Sequence, residues 1–128
     1  MKPRPPLPTP QRFSELSPQR QALLRLCQET NYGSVRGLEI RGGEPSFERA
    51  PVVEIDLKLD GEDPPRPESS LGDFALSREV TRLLERLDDR NVSAIDHLEI
   101  RAGLPRRVVL RFSAASVRSN SRPGADEL

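Results

Sequence analysis

The only histidine, His97, follows Asp96 and lies two residues before Glu99, and an imidazole held among carboxylates is the pattern of a general base. A base of this kind works on a nucleophile or another positioned partner. The one thiol, Cys27, falls in the apolar stripe of a helical segment, where it reads as an inert core residue. A single cysteine permits neither an internal disulfide nor a second thiolate for a metal. His97 therefore reads as a surface histidine, and the expectation is a chain that is not an enzyme and carries no cofactor. A small enzyme using His97 is the least supported alternative.

Carboxylates cluster at Glu54, Asp56, Asp60, Glu62 and Asp63. Glu54 and Asp56 alternate with apolar residues on a strand, while Glu62 and Asp63 sit in a Pro-rich loop without the glycine-punctuated spacing of a calcium loop. They read as a solvated acidic face, with no metal site. Arg101, Arg106, Arg107, Arg111, Arg118 and Arg122 form the only basic stretch with no acidic residue inside it. Eighteen of the 20 basic residues are arginine, whose planar fork suits bidentate contact with carboxylate or phosphate. Glycines at 42 and 43 lack the spacing that places phosphate at a helix N-terminus, so they mark a hairpin turn.

The elements that position these residues come from an internal repeat. Residues 16–45 align without a gap onto 76–105, with 11 of 30 positions identical, among them Leu38-Glu39-Ile40-Arg41 and Leu98-Glu99-Ile100-Arg101. Each copy opens on a serine suited to cap a helix, Ser17 and Ser77. Leu23, Leu24, Leu26 and Cys27, and Val80, Leu83, Leu84 and Leu87, give each helix one apolar face. Asn31 and Asn91 sit where left-handed residues end helices. Leu38 and Ile40, and Leu98 and Ile100, alternate with charged residues in the period of a half-buried strand, which puts Glu39, Arg41, Glu99 and Arg101 on the face away from the helices. Glycines 43 and 103 turn the chain into second strands, Val53 to Leu59 and Val108 to Phe112.

The fold class expected is α+β: a duplicated αββ unit forming a four-stranded antiparallel sheet with two helices on one face, a permuted ferredoxin-like plait whose second strands are central. The other arrangement open to this pattern sets the two hairpins side by side about a pseudo-twofold axis, first strands innermost. The boundaries read as a Pro-rich tail over 1–12, a domain over 13–113 with repeats at about 16–59 and 76–113, and a disordered tail over 114–128.

Mean hydropathy is −0.60, and no stretch approaches the roughly twenty apolar residues of a spanning helix. The basic N-terminus has no apolar segment behind it, so no secretory signal is read and a cytoplasmic location is expected. Net charge is zero, which argues against indiscriminate binding to nucleic acid or anionic membrane. The distribution is bipolar: residues 51–100 carry 6 basic and 13 acidic side chains, residues 101–128 six arginines against Asp126 and Glu127.

Tyr32-Gly33-Ser34-Val35 after a helix, then Gly43-Glu44-Pro45 and Val53-Glu54-Ile55, resembles the small bacterial proteins of the YezD type, which look like single αββ units. The resemblance implies a fold and carries no activity. The function expected is a non-catalytic protein-binding or assembly module, a homodimer being one form of it, acting through a charged sheet face or strand edge. Its candidate residues are Arg101, Arg106, Arg107, Arg111, Glu54 and Asp56. The alternative is a nucleic-acid-associated protein contacting phosphates through the arginine-rich C-terminal part. Base-stacking readers need aromatics on the open sheet face, and here that face is charged.

Overall fold

The computed structural model describes residues 9–113. The tails expected at 1–12 and 114–128 lie outside the described residues, apart from positions 9–12. Gln11 and Arg12 join the fold: Arg12 bridges Ala75, and the Gln11 carbonyl accepts from the Leu76 amide. Arg12 Nε also bonds Asp73 at 2.8 Å, and that guanidinium holds the Asp73 carboxyl down to about 2.

Two helices and five strands follow. Helix α1 spans Pro18–Thr30, β1 Gly33–Arg41, β2 Glu44–Ser46 and β3 Val52–Ile55; after a long connection come α2 at Arg78–Leu87, β4 at Val92–Arg101 and β5 at Leu104–Phe112. The helices start where capping chemistry dictates. Ser17 Oγ accepts from the Arg20 amide and Ser77 Oγ from that of Val80, each satisfying an otherwise orphan donor. They end differently. Asn31 sits at φ 62°, ψ −63°, the centre of a γ-turn closed by the Tyr32 amide on the Thr30 carbonyl. Asn91 is not left-handed as expected: α2 stops at Asp88 and Asp89, whose side chain caps the Asn91 amide and does the work of turning the chain.

The sheet is antiparallel and runs β2-β1-β4-β5, with β3 pairing the other half of β1 on the β2 side. The plait order is therefore corrected: the first strands, β1 and β4, are central. Apolar content explains it, since Val35, Leu38, Ile40, Ile95, Leu98 and Ile100 are buried in one cluster with both helix stripes, whereas Leu104, Val108 and Leu110 of β5 are only half-buried against it. The sheet also has five strands instead of four. The added strand is β2, which forms directly after the turn and is separated from β3 by residues 47–51, where Pro51 has no amide to donate; the strand expected over Val53 to Leu59 stops at Ile55 because β1 begins only at Gly33. With Ile40 and Ile100 buried, Arg41 and Arg101 are exposed, as alternation requires.

Both hairpins close through two left-handed residues, Gly42-Gly43 and Ala102-Gly103, the signature of type I′ turns. Each turn packs against the helix of the other half: a Cβ on Gly43 would lie 3.1 Å from the Leu87 carbonyl oxygen, and one on Gly103 3.5 Å from the Gln28 Cα. Ala102, at φ 52°, carries a Cβ where glycine or asparagine is favoured. Ala102→Gly should raise stability by about 1 kcal/mol, read as a higher urea midpoint with an unchanged slope.

Candidate functional site

The open face of the sheet forms cross-strand rows. Glu54, Ser34, Glu99 and Arg107 make one row, Val52, Arg36, His97 and Val109 the next, and the ladder then brings Glu39, Ala94 and Arg111 together. His97 thus lies in the middle of the face, between Arg36 and Val109. Ion pairs lace this surface: Arg36 to Glu54 at 2.9 Å, Arg41 to Glu39 and Glu48 at 3.0 Å each, and Arg111 to Asp96 at 2.5 Å. Exposed pairs of this kind add little stability, so the face is held in a defined charge pattern more than it is strengthened.

The expected binding residues separate into two poles. Glu54 stands on β3, bonded to Arg36 and to the Ser34 hydroxyl. Asp56 follows it, its amide on the Tyr32 carbonyl at 2.7 Å. Arg106, Arg107 and Arg111 stand on β5 at the opposite edge, and Arg101 ends β4 at the hairpin turn. The structure brings neither Glu54 nor Asp56 to any of these arginines. Arg111 is already occupied by Asp96, while Arg118 and Arg122 lie outside the described residues.

The acidic pole is concave. A cavity of about 680 Å³ opens between the end of α1, the start of β1 and residues 55–65, with Ile55, Leu57, Asp56, Glu62 and Asp63 in its wall. Asn31 ties its rim, its amide nitrogen donating to the carbonyls of Asp63 and Pro64.

Sequence reasoning missed a second basic element. Arg82 and Arg86 of α2 line a groove of about 210 Å³ together with Arg106 and Arg107. Their one-turn spacing was visible, but only the strand order places β5 beside α2. Cys27 is buried, and burial pushes its thiol up to about 12, so it offers no thiolate to His97. Among the described residues no three of His, Cys, Asp and Glu assemble as metal ligands would, and no helix is long and apolar enough to cross a membrane.

Comparison with protein families, with curated proteins and with solved structures finds no match to this chain.

Proposed function

We propose that the chain is a non-catalytic assembly module that joins a second copy of itself through its sheet edges, the β3 edge of one copy meeting the β5 edge of the next. One observation carries this reading: β3 is exposed at all four residues, and the apolar row Val53, Ile55, Leu57, Leu59 is 38, 54, 71 and 93% exposed. Soluble proteins guard free strand edges, because unpaired amides and carbonyls template pairing with another chain. Charge selects the partner edge. Glu54 on β3 and Asp56 just past its end alternate with the apolar row, and Arg106 and Arg107, free of ion pairs among the described residues, precede exposed Val109 on β5. Two β3 edges would instead oppose like charges. Such a contact uses different surfaces on the two copies, so it grows into a ring or an open chain.

The same reading treats the two αββ halves as copies of one unit, a proposal supported by the paired serine caps, the paired type I′ turns and the likeness of the first half to YezD-type proteins.

Sedimentation velocity across a concentration series tests the assembly. Wild type should show mass increasing with concentration and falling with salt; Ile55→Lys with Leu57→Lys should hold the chain as a monomer, and His97→Ala should change nothing. Arg107→Glu should weaken assembly, and adding Glu54→Lys should restore it. A wild-type monomer at every concentration, or assembly indifferent to these β3 changes, overturns the reading.

A further inference from the structure

We propose that the groove between α2 and β5 binds the phosphodiester backbone of single-stranded nucleic acid without reading its bases. Of the fifteen described arginines, Arg12, Arg20, Arg25, Arg36, Arg41, Arg66 and Arg111 have hydrogen-bonded or ion-paired partners. Four of the remaining eight, Arg82, Arg86, Arg106 and Arg107, converge on this one groove of about 210 Å³. The only carboxylate in its lining is Glu79, so the local balance is four positive charges to one negative.

Arg86 in the last turn of α2 complements the helix dipole, but helix stability does not account for four arginines on one groove. Arg82 and Arg86 are one turn apart on α2, a spacing at which like charges disfavour the helix, and Arg106 and Arg107 of β5 line the same groove. An anion seated between them relieves that repulsion. Arginine also fits phosphate through two parallel hydrogen bonds, and a run of charges along a helix and a strand fits a linear polyanion better than a single ion. The floor is apolar, built from Leu83, Pro105 and Val108, with no aromatic ring on which a base could stack. Recognition therefore stops at the backbone, and a groove of about 210 Å³ is sized for the phosphates of one strand.

This inference stands apart from the assembly reading, although Arg106 and Arg107 serve the β5 edge as well. The test variants are accordingly placed on α2, and binding is read at concentrations where the chain sediments as a single species. Fluorescence anisotropy with labelled oligouridylate and oligothymidylate should show similar affinities for both. Four phosphate contacts on a single strand give a log–log salt slope of about −3, or roughly a 50-fold loss between 50 and 200 mM salt. Arg82→Gln with Arg86→Gln should halve that slope and weaken binding roughly tenfold at low salt. Glu79→Gln should tighten it. Arg49→Gln with Lys58→Gln removes the same net charge from the opposite side of the sheet and should leave binding unchanged. All these side chains are exposed, and circular dichroism checks that the variants stay folded. The proposal fails if neither oligomer binds at low salt or if the control pair loses as much affinity as the α2 pair. It fails also if polyglutamate competes as well as oligouridylate, which would make an acidic protein the occupant.

Discussion

Leu23→Ala and Leu83→Ala should each lower the free energy of unfolding by roughly 2 to 5 kcal/mol, and by similar amounts. Both side chains are buried in the single cluster that joins the two helix stripes to β1 and β4. Removing three carbons there loses transfer free energy and leaves a cavity that helix and sheet, each fixed by its own hydrogen bonds, cannot collapse to fill. Urea unfolding followed by circular dichroism measures the loss. Midpoints near wild type for both variants would mean that the two stripes do not share one core.

The second large effect is expected at Gly33. Its φ is 153°, and a Cβ added there would sit 1.9 Å from the Glu54 carbonyl oxygen, well inside any tolerable contact. Gly33 is what lets β3 approach β1 along the ladder from Gly33–Ile55 to Arg36–Val52. Gly33→Ala should cost roughly 3 kcal/mol, at the upper end of overpacking, or expel β3 from the sheet. Hydrogen exchange separates the two outcomes: the first lowers protection throughout, the second only at β3 and the facing half of β1. Unchanged stability together with unchanged β3 protection would contradict the close approach. If β3 is expelled, self-assembly should disappear with it, since the edge that carries it is gone.

Local chemistry was the legible part of this fold. Ser17 and Ser77 announced the helix starts, Leu83, Leu84 and Leu87 the buried stripe, and glycines 43 and 103 the hairpins, because each signal acts within a few residues of itself. The strand order was not legible in the same way. It depends on which strands can bury both flanks, and Val53 and Ile55 look as apolar in sequence as Leu38 and Ile40, yet they remain exposed. The interruption at residues 47–51 divides the returning chain into two short strands, β2 and β3, at the edge of β1. The candidate site divides along the same line. The two charged poles were visible as composition, whereas the groove of Arg82, Arg86, Arg106 and Arg107 exists only because α2 comes to rest beside β5.

The central β1–β4 ladder also governs the order in which the chain reaches its native state. Its partners are as distant in sequence as Gly33 and Ile100, so the entropy of closing that span is spent before either strand gains its neighbour. The two hairpins have no such delay, each being joined by two residues and preceded by its helix. The docking of the two halves along β1 and β4 is therefore expected to set the folding rate, through contact separation more than final stability. A ribosome releasing this chain exposes the N-terminal half first, and that half stays without a partner surface until Ile100 has been made. Throughout that interval the side of β1 that β4 will cover stays open as well as the apolar residues of β3.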